Sequence, residues 1–218
     1  MSLFDQMKTQ AQQALELKST TTKLSSEELA QRNAKLKQIF DYWHEFSELI
    51  KVIQPEFMHP IALPAIGEMH GLMLMDTFAD YRHAVSGSQN FTDEINHASL
   101  NFFYKAPKQF NFTKEIGYAD LVKDVLWRYG LVHTAEDIKN EQARIVEVVF
   151  NIPWEVRGSV IVTSLPNAKK LNFVLKNVAK LGDVELEVPY EQVDTVFLDE
   201  LSKLLLGQKS QFWKLIKF

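Results

Sequence analysis

One stretch limits what this chain can fold into more than any other. Ser25 to Gln54 reads SSEELAQRNAKLKQIFDYWHEFSELIKVIQ. Leu29, Leu36, Trp43 and Ile50 recur every seven residues, and Arg32, Ile39, Phe46 and Ile53 follow each of them by three. These are the a and d positions of a heptad seam, apolar everywhere except at Arg32. The pattern predicts a long helix. Ser25 and Glu28 have the spacing of a capping box, and Glu27 and Glu28 complement the positive helix end. Pro55 stops it, because the residue before a proline avoids the helical region. From Phe40 onward the stripe widens as Leu49 and Val52 flank the seam. That half is predicted to pack on the chain's own body. The narrower half, interrupted by Arg32, is where a partner is expected. The predicted contact residues are Leu29, Arg32, Leu36 and Ile39, with Trp43 and Phe46 continuing the seam.

The rest of the chain is predicted to be α+β. Residues 1–24 read as a weakly amphipathic segment followed by a Thr-rich linker, 25–54 as the long helix, and 55–218 as the body. Pro55 to Pro64 reads as an extended connector. Ile66–Val85 and Thr92–Lys105 flank a Ser/Gly/Asn-rich loop and predict a β-hairpin. KQFNFT at 108–113 reads as a short strand. Tyr118 to Leu131 returns to helical spacing, and Thr134 to Glu141 reads as a loop or one helical turn. From Ala143 to Pro189 apolar residues alternate in four runs, broken near Pro153, Pro166 and Gly182. This predicts a four-stranded antiparallel meander, in one sheet with the hairpin or in a second one. Gly158, inside a run, marks a bulge or close packing. A C-terminal helix with Val193, Val196, Phe197, Leu201, Leu204 and Leu205 on one face is predicted to cover a sheet face, and Gly207 ends it. The aromatic tail after it, with Phe212 and Trp213, is predicted to close the protein's own core.

Composition narrows the function classes. The formal net charge of −4 argues against nucleic-acid binding, which usually shows a basic face. The chain holds no cysteine, which removes thiolate metal sites and cysteine nucleophiles and suits a reducing cytoplasm. The apolar runs are too short for a transmembrane helix, which needs about 20 residues. Peripheral membrane contact stays open. No phosphate-cradling glycine loop, HExxH or GxSxG occurs.

The densest set of chemically capable residues is Asp76, Asp80, Arg82 and His83. On a strand the first three share a face, and two carboxylates four residues apart stand roughly 13 Å apart, too far for one metal. An Asp80–Arg82 ion pair on a solvated face is the expected arrangement. His70 and His97 are placed to face each other across the hairpin, a pair that lacks a third ligand. No cofactor is expected. The reading the sequence favours is a non-enzymatic interaction or assembly protein, partnered by another protein or by a second copy in a homodimer. Its alternatives are a domain that binds a small apolar ligand, and a hydrolase or metal enzyme built on the Asp76–His83 cluster.

Overall fold

The heptad stretch is a helix, α1 (Ser26–Ile53). A computed structural model of the chain describes residues 26–86, 90–165 and 169–216. The N-terminal segment 1–24, the capping Ser25 and the middle of the 86–91 loop lie outside the described residues. At its far end α1 stops as expected: Gln54 turns to φ 45° ahead of Pro55 while its N–H still bonds Ile50 O.

Beyond α1, β1 (Ile61–Leu63) and β2 (Gly67–Met69) form a small antiparallel pair. They are followed by β3 (Met73–Ser86), β4 (Asn90–Glu115), the helix α2 (Ile116–Arg128), β5 (Thr134–Lys139), β6 (Ile145–Leu165), β7 (Lys170–Lys176) and β8 (Asp183–Pro189). The chain ends in α3 (Thr195–Leu205) and the short α4 (Phe212–Leu215). This is the predicted α+β order. The hairpin and the meander belong to one antiparallel sheet, ordered β3-β4-β6-β7-β8, with β5 on the free flank of β6.

Several boundaries differ from expectation, each for a local reason. The first hairpin strand divides at Gly71, whose φ of 65° turns the chain between β2 and β3. KQFNFT continues β4. The first two runs of the meander are fused in β6, which passes through Pro153 without stopping. Pro153 lies opposite Gln109, next to a three-residue interruption of the β4 ladder at 106–108. On its other flank β5 reaches only to Asn151 and β7 begins at Ser159. The missing N–H of the proline therefore falls where neither neighbour requires it. The polar 134–141 stretch, expected as a loop or one helical turn, is mostly strand β5.

Because β4 and β6 are so long, the sheet has a broad end and a narrow arm. At the broad end β4 and β6 sit among β3, β7 and β8. One face is continuous and apolar, with Leu100, Phe102, Tyr104, Val160, Phe173 and Leu186 all buried. α1 and α3 cover it. Tyr42 of α1 donates to Asp199 at 2.7 Å and lies 3.2 Å from Ser202, both on α3. Burial pushes the Tyr42 hydroxyl up to about 12, so it stays a donor there. Tyr104 donates to Leu205 O at 2.9 Å, tying the sheet to the end of α3. In the arm, the second half of β4, the first half of β6 and β5 form three strands. The same face carries Phe112 stacked on Phe150, and α2 packs there through Ala119, Val122 and Leu126.

The tail meets its expectation in part, since Trp213 is 41% exposed. Phe212 is buried against Phe197. Glu200 fastens this end: it pairs with Lys203, accepts from Ser210 Oγ, and accepts the Gln211 N–H that opens α4. Lys203, then the Gln211 N–H, hold its carboxyl below the ordinary carboxylate value. A group held low in the folded state stabilises above its ordinary value, 4.5, and that contribution is lost as pH falls through the folded value. Glu200→Gln is therefore expected to lower Tm at neutral pH. The gap from the parent should close as pH falls below 4.5, which thermal melts across a pH series would measure.

Candidate functional site

The predicted seam is used inside the chain. Leu36, Ile39 and Trp43 are 0% exposed, Ile50 is buried and Phe46 packs half-buried on the same core. Leu29 is half-buried. Arg32, the polar break in the heptads, is buried too, with Nη2 2.5 Å from Glu94 Oε1 of β4. Next to it Asn33 accepts the Ile95 N–H at 2.9 Å. Further along, Thr77 donates to Ser47 O at 3.1 Å. In the half of α1 expected to meet a partner, Arg32, Leu36 and Ile39 are thus covered by the chain's own fold, while Leu29 stays partly exposed. The other half, expected to be buried, ends exposed: Leu49, Val52 and Ile53 stand in solvent on the last turn. An apolar stripe records that a face will be covered, and its width does not record by what.

The polar cluster divides between two faces of β3. Asp80 and Arg82 point to the side away from α1 and pair, Nε to Oδ2 3.4 Å, as expected. His83 lies on the other side with Tyr81, ring centroids 5.5 Å apart. Asp76 sits in a break of the β3–β4 register between Met75 and Phe78, at φ 49°. There it meets a residue that the sequence did not join to this cluster: Lys105 lies 2.8 Å from Asp76 and 3.3 Å from Glu155 of β6. The Asp76 hydrogen bond, with Glu155 adding, raises the Lys105 ammonium above its ordinary value. That lysine stays charged and bridges three strands, which is the work of a staple; a nucleophile would have to shed its proton.

His70 and His97 do not meet. His97 stands opposite Arg82, and burial with the nearby Arg82 charge lowers it. His70 lies 3.3 Å from Glu68. No group of three His, Asp or Glu able to hold a metal occurs among the described residues. The hydrolase or metal-enzyme reading thus finds its residues locked in ion pairs or on opposite faces. A groove of about 450 Å³ runs between the outer side of α1 and residues 169 and 190–191. It is open, and it is lined mostly by polar residues, among them Gln31, Lys35, Gln38 and Lys169, with Lys35 donating to Val193 O at 2.9 Å. An apolar ligand would not be enclosed there.

What remains unspent is the arm. Tyr118, Leu121, Trp127, Val132, Ile138 and Ile145 are all exposed, Trp127 at 85%. Every residue of β5 is exposed. Leu121 falls beside Val122 and Leu126 in the helical spacing, yet the helix turns Ala119, Val122, Val125 and Leu126 inward and leaves Leu121 and Trp127 out. The signal in the sequence was an apolar set too wide for one face of a helix that covers only three strands. Among the described residues no helix is long and apolar enough to cross a membrane. No protein-family model, curated protein or solved structure matches the chain.

Proposed function

We propose that this chain is a non-enzymatic interaction or assembly protein whose contact surface is the arm, in a cytoplasmic setting in keeping with its lack of cysteine. One observation carries the reading. Isolated exposed apolar side chains are ordinary, but a concentration of them on one projecting part of a sheet is what an interface presents when its partner is away. Trp127 and Tyr118 are of the residue types that anchor interfaces. The seam of α1 does not compete for this role, since it is occupied by the chain's own sheet.

The test is affinity capture with the tagged full chain from its native cell extract, read by mass spectrometry. The parent chain is expected to retain a specific protein that Leu121→Glu and Trp127→Glu lose. Both side chains are exposed, so these variants should melt within about 0.5 kcal/mol of the parent. Equal capture by parent and variants would overturn the reading.

A further inference from the structure

The geometry points to a second copy of this chain as an occupant of the arm, with β5 pairing antiparallel to the other copy's β5 and Ile138 opposite Ile138 on a two-fold axis. It rests on the interaction reading only in taking the arm as the contact surface. β5 hydrogen-bonds to β6 on one flank, and no described strand pairs with its other flank. Such an edge offers a row of free N–H and C=O groups to another chain. The other edges of the large sheet carry guards. β3 is broken by three register shifts. β8 carries Asp183, Glu185 and Glu187 and ends in Pro189. β5 runs unbroken, and its own charges, Glu136, Asp137 and Lys139, are of both signs. The one irregularity in its ladder puts the extra residue on β6, since Ile138 faces Glu147 and Lys139 faces Ile145. Its turn into β6 is fixed by Asn140, whose side chain accepts the Gln142 and Arg144 N–H groups at 3.0 Å each.

The charges on β5 choose the register. Two identical antiparallel strands related by a two-fold pair residues of the same face, so the axis passes through one residue and its copy. An axis at Glu136, Asp137 or Lys139 sets a charge against its own kind, which is unfavourable. An axis at Ala135 overlaps only the start of the strand. An axis at Ile138 opposes two apolar side chains and sets Asp137 of each copy opposite Lys139 of the other, twice. Neither Asp137 nor Lys139 has an ion-pair partner within the chain among the described residues, so both are available. The pairing joins two sheets edge to edge and brings both α2 helices to one side of the joined sheet.

Light scattering of the full chain over a concentration series tests this. The parent is expected to reach twice its 25.2 kDa chain mass. Asp137→Lys and Lys139→Asp alone each set like charges together twice and are expected to return it to the single-chain mass; Ile138→Lys should do the same. The double variant D137K/K139D restores the opposite pairs and is expected to dimerise again. Mixing the two single variants is expected to give a heterodimer that neither forms alone. Far-UV circular dichroism checks that each variant is folded. A parent that stays at single-chain mass at the highest concentration, or single variants that dimerise as the parent does, would overturn the pairing. A monomeric parent whose capture of another protein still depends on Leu121 and Trp127 overturns the self-pairing and leaves the interaction reading standing. A charge-dependent dimer with capture indifferent to those two side chains does the reverse.

Discussion

Trp43→Ala is expected to cost about 3–5 kcal/mol of stability, a large share of the roughly 5–15 kcal/mol that holds a domain folded. Trp43 is 0% exposed at the middle of α1, in one core with Leu36, Ile39 and the apolar face of β3 and β4. Its indole N–H has no hydrogen-bond partner among the described residues. Truncation therefore strands no acceptor, and the loss is apolar transfer plus the cavity left behind. Val52→Ala, on the same helix but 85% exposed, is expected to stay within about 0.5 kcal/mol of the parent. Urea unfolding of the two variants decides the matter. If α1 were a free coiled-coil arm, Trp43→Ala would alter association and leave the midpoint nearly unchanged. A loss below about 1 kcal/mol would take the helix off the sheet. For the same reason Leu36→Glu is no probe of self-association here. It would bury an unpaired carboxylate and unfold the chain.

The sequence disclosed the elements of this fold better than their partners. The heptads located α1 to within a residue or two, since spacing is local physics and each apolar position is counted on the chain itself. Where α1 would be covered was not legible. Arg32 looked like a break in the seam, yet Glu94, far along the chain, neutralises it inside the fold. Pairing of that kind leaves no trace in periodicity. Pro153 looked like a strand end because a proline lacks a ladder donor. It is tolerated because β5 and β7 both leave its flank open, a fact of topology. The same holds for the polar sites. The Asp80–Arg82 pair was readable two residues apart, whereas Lys105 and Glu155 join Asp76 only once three strands lie side by side. β5 escaped notice since its residues are all exposed and carry no alternation. An edge strand held by backbone bonds needs none.

Gly158→Ala is the second large effect, and its sign is the informative part. At a roomy strand position, replacing glycine by alanine stabilises by about 0.4–1 kcal/mol, because the unfolded chain loses freedom. Gly158 sits opposite Phe102 in the β4–β6 ladder. A Cβ built there would fall inside the Cε2 and Cζ atoms of the Phe102 ring, and 3.1 Å from the Lys176 carbonyl on the other flank. Phe102 is 0% exposed and stacks edge-on to Tyr104, so the ring has no open side to turn toward. The Lys176 carbonyl belongs to the β7 ladder and cannot retreat either. One methyl group must therefore push a packed ring into its neighbours, at about 3 kcal/mol, the upper end of the usual overpacking range. The clash has a specific remedy, which separates it from a general weakening of the strand. Phe102→Leu removes the ring edge that the methyl meets, at a cost of its own in lost packing. The double variant G158A/F102L is then expected to be more stable than the sum of the two single losses by at least 1 kcal/mol, within the range of coupling seen for residues in contact. Additivity to within about 0.5 kcal/mol would mean that the methyl group finds room without moving Phe102. The glycine would then be there for some reason other than the ring that faces it.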